Sequence, residues 1–592
     1  MKALSTLLKY FKKYKWNLVI GFFFILLSNV FATAIPSIVR ETVDGLDSLD
    51  SSKFYVSYVP DYFHTPLKFP ILGGLLIFVC AVLKGVSMYF MRMKLIIMSR
   101  LIEYDQKNEI FKHYQKMGQG FYSKNYTGDL MNRISDDVSK VRMFTGPAIM
   151  YSLNLSVMII AVVGMMFYVN PRITFYVLIP LPILAIAIYW VSDTMNKKSD
   201  LIQQKLSTIT SYVQETFSGI QVLKSYAAEK EFSKDFDTLN EGYKEDNMAL
   251  VKINGIFMPT VMGLVSMSIL ITLYVGGNAV ADGTFTLGNI VEYIIYVNML
   301  TWPVASLGYV TSLVQRGAAS QKRIDEFLSF APDEDAGQTV ISELEEGIEF
   351  RNVWFKYPET DTWVLENINF TIKKNTKFGI IGTTGSGKST IAKLIMGIYR
   401  LTKGEILIDG KPIESYSKKG LSHLLGYVSQ DIFLFSETLS DNILFGSNSI
   451  ADEKNLKKAI ESAALTSEIE SFPKGLETIL GERGITLSGG QKQRTAIARA
   501  LIKNPKILLI DDGLSAVDTK TEVDIKNSLK NWNQEQTFIN ISHRISSIQD
   551  SYEIIFLDNG KIVEKGKHTD LVNREGVYAK LYEKQMALSE AI

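Results

Sequence analysis

Residues 378–390 read FGIIGTTGSGKST, and this stretch decides the fold of the second half of the chain. The apolar run Phe378–Ile381 is typical of a buried strand, and the residues after the glycines favour a helix. A glycine-rich loop between a strand and a helix directs backbone N–H groups and a helix N-terminus at phosphate oxygens. The sequence therefore predicts a phosphate-binding loop, whose members are Gly382, Thr383, Thr384, Gly385, Ser386, Gly387, Lys388, Ser389 and Thr390.

The phosphate loop and a second motif, at residues 507–511, together predict a complete nucleotide site. In this type of loop the lysine, here Lys388, reaches the β- and γ-phosphates, and the following hydroxyl, here Ser389, is a ligand of Mg²⁺. The apolar run Ile507–Ile510 ends in Asp511, as expected of a buried strand that delivers a carboxylate to the metal. Around these motifs, short β-rich runs alternate with helical patterns. We therefore expect ATP and Mg²⁺ to bind an α/β domain at residues 331–592.

A third motif, at residues 487–491, lies between the phosphate loop and the strand that ends in Asp511. It opens a helix, and its hydroxyl and glycine amides would suit a second anion. The same pentapeptide in isolation is also typical of a plain glycine-rich helix start. Its residues are Leu487, Ser488, Gly489, Gly490 and Gln491.

The first half of the chain contains six apolar segments that reach the length of about 20 residues required to cross a bilayer. They lie near 18–39, 70–92, 145–169, 172–192, 256–280 and 286–312. The first is too long for a cleaved signal peptide, so we expect it to remain. These segments predict an all-α, six-helix transmembrane domain at residues 1–330. Residues 1–15 have leucines at helical spacing among lysines and predict an amphipathic helix on the cytoplasmic membrane surface.

The connections between the segments indicate the orientation. Those after the second and fourth segments are long, rich in lysine and arginine, and helical in pattern, whereas the loop after the first is acidic. By the positive-inside rule, both termini, both long connections and the ATP-binding domain face the cytoplasm of a multi-pass inner (plasma) membrane protein. Each long connection is expected to form two helical arms joined by a turn.

Two charged residues fall inside the apolar segments. Lys84 and Glu292 are candidate substrate groups because charges within a membrane are costly. An equally open alternative is that they line a water-filled cavity with no role in binding. They are expected at different depths, so we do not expect them to pair with each other.

The composition excludes several other classes of protein. Lys and Arg total 63 against 62 for Asp and Glu, which argues against a broad nucleic-acid surface. A single cysteine, Cys80, rules out a disulfide framework, and the five histidines have no zinc-site spacing.

The three motifs and the six segments together resemble an ATP-binding cassette half-transporter of the exporter type, over nearly the whole chain. The resemblance implies that Tyr357 stacks on adenine, that Gln430 contacts Mg²⁺ and the attacking water, and that His543 contacts the γ-phosphate. It also implies that the third motif, the family's signature, closes over the ATP held by a second subunit. By the same resemblance, Leu480–Gly484 contacts the membrane domain and Ser515–Asp518 crosses the dimer interface.

The sequence departs from the family at one position. The family usually has Glu after the metal-binding Asp, to polarise the attacking water, whereas this chain has Asp512. The missing methylene withdraws the carboxylate by about 1 Å, and a misplacement of that size can slow a reaction about 100-fold. The signature is intact, so we favour a heterodimer with a Glu-bearing chain over a slow homodimer. Asp512 acting through an intervening water stays an alternative.

The predicted function is ATP-driven efflux of hydrophobic or amphipathic small molecules by alternating access, with membrane lipid and a second half-transporter as partners. A lipid or peptide exporter or flippase has the same machinery, and an importer on this fold is a further alternative. A nucleotide-regulated channel or sensor is the rival from another class.

Overall fold

The computed structural model describes residues 2–47, 68–333, 337–341, 343–358, 360–447, 453–513, 519–532 and 535–590. By its internal contacts the chain divides into two compact units. The first comprises residues 1–114 and 128–330, and the second comprises residues 115–127 and 331–592. The segment 115–127 therefore belongs with the second unit, although the sequence division at residue 330 assigns it to the first.

The first half of the chain is helical throughout its described residues. After a 3₁₀ helix at Lys2–Leu7, its helices are α1 (Leu8–Lys13), α2 (Lys15–Asp47), α3 (Lys68–Lys116), α4 (Gln119–Lys124), α5 (Thr127–Asn132), α6 (Val138–Met143), α7 (Ile149–Val169), α8 (Pro171–Leu178), α9 (Pro180–Ser218), α10 (Ile220–Ser225), α11 (Glu229–Ala281) and α12 (Leu287–Leu328). Two π-helical segments, Arg133–Asp137 and Phe144–Ala148, join α5, α6 and α7.

Six helical stretches of this half are long and apolar enough to cross a membrane, in agreement with the six predicted segments. They are Lys15–Gly45, Pro70–Lys116, Thr127–Val169, Pro171–Ser218, Glu229–Ala281 and Leu287–Leu328. Five of them, of 42 to 53 residues, continue well beyond a bilayer's thickness. Four of these five do so because the two long connections are helices. Short helices, α4 and α10, lie between the paired arms at their far ends.

The intramembrane Glu292 is part of a buried polar cluster between α2 and α12. Its side chain is fully buried, and Arg40 Nη1 lies 3.1 Å from Glu292 Oε2. The hydroxyls of Ser37 and Tyr296 donate to Glu292 Oε1 at 2.9 and 3.1 Å. The alternative that Glu292 lines a water-filled cavity does not fit this burial. Its partner is Arg40, which lies just past the end of the predicted first segment.

Replacing Arg40 with methionine is expected to destabilise the chain by about 3 kcal/mol, because a buried carboxylate that loses its cation is left uncompensated. The measurement is the thermal or denaturant unfolding midpoint of the purified chain in detergent. Arg40→Met combined with Glu292→Leu, which removes both charges, should recover most of the loss. An Arg40→Met protein as stable as the wild type would contradict the assigned pairing.

The N-terminal segment packs on the protein and leaves one of its leucines exposed. Leu7 is fully buried, and the Lys9 ammonium lies 2.6 Å from a carboxylate oxygen of Glu109 on the arm of α3. Leu8, in contrast, is 56% exposed. The segment predicted as an amphipathic helix is therefore tied to this arm by an ion pair, while Leu7 is buried within the protein.

The second unit has ten strands and, besides α4, nine α-helices among its described residues. The strands are β1 (Gly347–Phe355), β2 (Leu365–Lys373), β3 (Lys377–Gly382), β4 (Lys403–Ile408), β5 (Lys411–Pro412), β6 (Leu425–Val428), β7 (Ile507–Asp511), β8 (Thr537–Ile541), β9 (Glu553–Asp558) and β10 (Lys561–Gly566). The helices are α13 (Lys388–Ile395), α14 (Lys418–Leu424), α15 (Leu439–Leu444), α16 (Glu453–Ser462), α17 (Thr466–Ser471), α18 (Gly489–Leu501), α19 (Thr519–Trp532), α20 (His568–Val572) and α21 (Val577–Glu590).

The strands form two sheets. An antiparallel sheet has the order β2-β1-β4-β5, and a larger sheet has the order β10-β9-β3-β8-β7-β6. Three buried phenylalanines join the sheets: the rings of Phe350 and Phe370 stack at 4.3 Å, and Phe370 stacks on Phe378 at 5.2 Å.

The larger sheet positions the candidate site. Strands β3, β8 and β7 are neighbours and run parallel, with Ile380 paired to Ile541 and Ile541 to Asp511. Because the carboxyl ends of parallel strands meet at one edge, the loops that follow all three strands converge there. Those loops contain the phosphate-binding motif, Asp512 and His543.

Candidate functional site

The phosphate-binding loop turns sharply between β3 and α13. Gly387 has φ +100° and directly precedes the helix. A side chain at Gly382 would meet the carbonyl oxygen of Leu557 at 1.9 Å, so the close approach of β9 leaves room only for glycine there. The helix that begins at Lys388 directs its N-terminal N–H groups into the loop. The hydroxyl of Ser386 is buried without a partner among the described residues, which fits a loop built around an anion.

Lys388 is held over this loop. Only 6% of the residue is exposed, and its ammonium donates to the carbonyls of Gly382 at 3.0 Å and Thr383 at 2.7 Å. Burial lowers the pKa of the Lys388 ammonium, while the carboxylates of Asp512 and Asp511 act in the opposite direction. A cation in this position can approach a phosphate that the loop amides bind.

The loop forms one wall of a cavity with a volume of about 370 Å³. The cavity brings together most of the residues that the sequence predicts for ATP and its metal. Its lining consists of Tyr357, Val364, Thr384, Gly385, Gly387, Lys388, Ser389, Thr390, Gln430, Asp511, Asp512, Ile541 and His543. Val364 and Ile541 were not predicted, since apolar residues at strand ends have no distinguishing pattern in a sequence.

Tyr357 occupies the rim of this cavity. Its ring meets those of Phe355 and Tyr399 edge to face, with centroid distances of 5.0 and 5.2 Å, and its hydroxyl lies 3.0 Å from Thr390 Oγ1. The tyrosine is therefore anchored in the edge of the core and also lines the cavity, where an aromatic surface suits a flat base.

Three oxygen donors in the cavity fit a magnesium ion. Asp511 ends β7, the Ser389 hydroxyl is hydrogen-bonded to its carboxylate, and Gln430 follows β6. Burial raises the pKa of the Asp511 carboxyl, and the hydrogen bond from Ser389 counteracts this. Mg²⁺ prefers such hard oxygen ligands and usually takes one or two carboxylates together with substrate phosphates. The donor set therefore fits this ion.

Asp512 and His543 face each other across the cavity floor. Asp512 Oδ2 lies 3.8 Å from His543 Nε2, and the backbone N–H of His543 is 3.4 Å from Asp512 Oδ1. Asp512 has φ +52°, a left-handed conformation that Asp adopts more readily than most residues. The short carboxylate is therefore directed at the histidine, from a constrained backbone.

The signature segment adopts the expected helix start, away from the cavity. Ser488 Oγ accepts from the N–H of Gln491 at 3.3 Å, and Gln491 Oε1 accepts from the N–H of Ser488 at 2.9 Å. This capping box satisfies two N–H groups at the beginning of α18. Ser488 and Gly489 are exposed, and none of residues 487–491 belongs to the cavity lining described above. The segment is thus a well-formed helix N-terminus on the surface of its own chain.

Two further loops were predicted to have a role. Leu480–Gly484 is described and includes a short 3₁₀ helix at Glu482–Gly484. Ser515–Asp518, predicted to cross a dimer interface, lies outside the described residues.

Comparisons with known families agree along the chain. Residues 18–304 match the model described as the ABC transporter transmembrane region, and residues 365–515 match the model described as ABC transporter. A probable multidrug resistance ABC transporter ATP-binding/permease protein of Bacillus subtilis is 34% identical, over 97% of this chain and 96% of that protein. An ATP-dependent lipid A-core flippase of Photobacterium profundum is 30% identical, with the same two coverages of 97% and 96%.

A solved structure has the same fold. The structure of a bacterial Atm1-family ABC exporter with ATP bound superposes with a TM-score of 0.76, covering 96% of this chain and 99% of that one. The two sequences are 24% identical, so the likeness concerns the fold alone.

Proposed function

Because the chain belongs to the ATP-binding cassette (ABC) transporter family, we propose that it is one subunit of a dimeric exporter. ATP binding and hydrolysis drive hydrophobic or amphipathic molecules across the membrane by alternating access. The observation that carries the proposal is the cavity that gathers Lys388, Asp511 and His543 beside the phosphate loop, in a chain that also has six membrane-length helices. Residues 1–330 would form the membrane part and residues 331–592 the ATP-binding part.

Different cavity residues bind different parts of the ATP molecule. Tyr357 stacks on the adenine, the amides of the loop bind the β- and γ-phosphates, and Lys388 adds a positive charge. Ser389, Asp511 and Gln430 would hold Mg²⁺, whose charge neutralises phosphate oxygens during phosphoryl transfer.

In the hydrolytic step, a water oxygen bonds to the γ-phosphorus as the bond between that phosphorus and the bridging β-phosphate oxygen breaks. The water gives up a proton to a phosphate oxygen, and the products are ADP and phosphate. Gln430 and Asp512 orient this water, and His543 donates to the γ-phosphate.

The signature supports the dimer. Its Ser488 and Gly489 are exposed and none of its residues lines the cavity of its own chain, so it can cover the ATP held by another subunit. Cassette closure would then draw the helical arms together and open the spans outward, and hydrolysis would reset them.

We further propose that the second subunit is a different chain. Asp512 is shorter than the Glu usual in this family, and within the cavity its carboxylate lies 3.8 Å from His543 Nε2. The intact signature could still complete a partner's site that contains the Glu. The two sites of such a heterodimer would hydrolyse ATP at unequal rates.

The test compares two preparations in lipid nanodiscs: the full chain expressed alone, and the complex of the full chain with the protein that co-purifies with it from its own cells. The ATPase rate of each preparation is measured. We expect low activity alone and a rise of about 100-fold in the complex. A chain that is fully active alone, with an unchanged rate in Asp512→Asn, would contradict the heterodimer.

The substrate class is proposed from the relatives and the membrane helices. Proteins named for multidrug resistance and for lipid A-core flipping are similar over nearly the whole chain. Proteoliposomes that contain the complex should move a hydrophobic cationic dye or a fluorescent lipid only when ATP is supplied. Movement in the absence of hydrolysis would favour a channel instead.

The membrane orientation is likewise a proposal. The basic arms favour both termini and the ATP-binding part on the cytoplasmic side of the inner (plasma) membrane. Labelling of single cysteines with an impermeant reagent in intact cells tests this placement.

A further inference from the structure

The loop that contains His543 is fastened from outside the cavity by a side chain of the C-terminal helix α21. The Nε2 group of Gln585 donates to the carbonyl of His543 at 2.8 Å, and the N–H of Ile545 donates to Gln585 Oε1 at 2.9 Å. One planar amide thus bridges the residues on either side of Arg544. Since both bonds are to backbone atoms, they fix the path of the chain at the histidine.

The helix that supplies this amide is itself firmly seated. The carboxylate of Glu564 accepts from the N–H groups of Val577 at 2.5 Å and Tyr578 at 3.1 Å, at the start of α21. The Tyr578 hydroxyl lies 2.8 Å from Nδ1 of His568. The first turns of α21 therefore have a defined position and direction.

The first turns of α21 pack against the strand that leads into the phosphate loop. Tyr578 shares a buried apolar cluster with Ile545 and Ile381, and Leu581 packs against the same cluster. Ile381 directly precedes the phosphate loop. Gln585 lies one helical turn beyond Leu581, so the same helix face that supports the loop strand also presents the amide.

The opposite end of the histidine loop has its own fixed contact. The Ser547 hydroxyl donates to the buried Glu522 of α19 at 2.7 Å. The loop is therefore held at one end by α19 and at the histidine by α21. At the backbone of His543 itself, Gln585 holds the carbonyl at 2.8 Å, and Asp512 Oδ1 lies 3.4 Å from the N–H.

We propose that Gln585 is a positioning residue for ATP hydrolysis, which sets the placement of His543 through its backbone. This inference rests on the proposed function, in which His543 contacts the γ-phosphate. The imidazole has few constraints of its own, since its side chain is 39% exposed and its distance to Asp512 Oδ2 is 3.8 Å. Freedom in the backbone would therefore be passed directly to the ring.

The test uses the full chain in nanodiscs, with its partner subunit if one co-purifies. Gln585→Met keeps the length of the side chain and removes both hydrogen bonds. We expect kcat for ATP hydrolysis to fall by about 10-fold or more while KM for ATP and the affinity for a fluorescent ATP analogue stay within about 2-fold, because the misplacement concerns the chemical step. Lys584→Met, at the exposed neighbouring position, is the matched control and should match the wild type.

A double-mutant cycle with His543→Ala distinguishes positioning of the histidine from a purely structural role of Gln585. If Gln585 acts through the histidine, adding Gln585→Met to His543→Ala should lower the residual rate by less than about 2-fold. An equal fall in both backgrounds, or an unchanged kcat in Gln585→Met, would overturn the inference.

A second variant at the same position keeps the inference testable if Gln585→Met does not fold. Gln585→Glu keeps the acceptor for Ile545 and places a carboxylate against the carbonyl of His543, so it should also lower kcat. If Gln585→Met does not bind the ATP analogue, the double-mutant cycle with His543→Ala is repeated with Gln585→Glu. Effects of Gln585→Glu and His543→Ala on kcat that simply add would count against the proposal. A wild-type chain that neither binds nor hydrolyses ATP would contradict the proposed function instead.

Discussion

Replacing Lys388 with alanine is expected to lower ATP hydrolysis in this chain's own site by about 100- to 1,000-fold, the usual cost of removing a preorganised charge at a transferring phosphoryl group. Lys388 is buried at the mouth of the phosphate loop, where its ammonium donates to loop carbonyls. In such a water-poor position a charge acts more strongly than at the surface.

The measurement for Lys388→Ala is photolabelling of this chain by an azido-ATP analogue, together with the ATPase rate. Photolabelling assigns the effect to this chain even when a partner hydrolyses ATP. Lys411→Ala, at an exposed position of β5, is the control and should behave as the wild type. Undiminished labelling and hydrolysis in Lys388→Ala would contradict the assigned site.

Lengthening Asp512 to glutamate is expected to raise hydrolysis by the chain alone by about 100-fold. The added methylene would carry the carboxylate beyond its present contact with His543 and toward the water position beside the γ-phosphate. The change should cost about 1 kcal/mol of stability, since the backbone at φ +52° suits Asp better than Glu.

The checks on Asp512→Glu are the steady-state ATPase rate and the unfolding midpoint. Asp512→Asn, which has the same size and no charge, should be no faster than the wild type. If Asp512→Glu gives no gain while Asp512→Asn abolishes activity, the short carboxylate is already a competent base. The case for a heterodimer would then fail.

Much of the candidate site could be predicted because its motifs are contiguous. A strand, a glycine turn and a helix start are local structures, so the phosphate loop around Lys388 is specified by its own neighbours. Asp511 could be placed because an apolar run that ends in a carboxylate is a strand end. The helix start at Ser488 is also local, and α18 begins where the motif indicated.

The pairing of Glu292 could not be predicted in the same way. The sequence shows that a carboxylate lies within an apolar segment, but it does not show which of the other helices contacts it. Arg40 is 252 residues away and reaches Glu292 only because α2 packs against α12 in one register. A shift of one residue in that packing would give a different partner.

The sequence by itself determined the six spans, the α/β class and the residues of the phosphate loop, because hydrophobic length and turn chemistry are read from adjacent residues. Only the tertiary structure decided that Arg40 neutralises Glu292, that Asp512 faces His543, and that Gln585 holds the backbone of the histidine. These contacts join residues that are distant along the chain. Their geometry depends on how helices and strands pack, which no local pattern encodes.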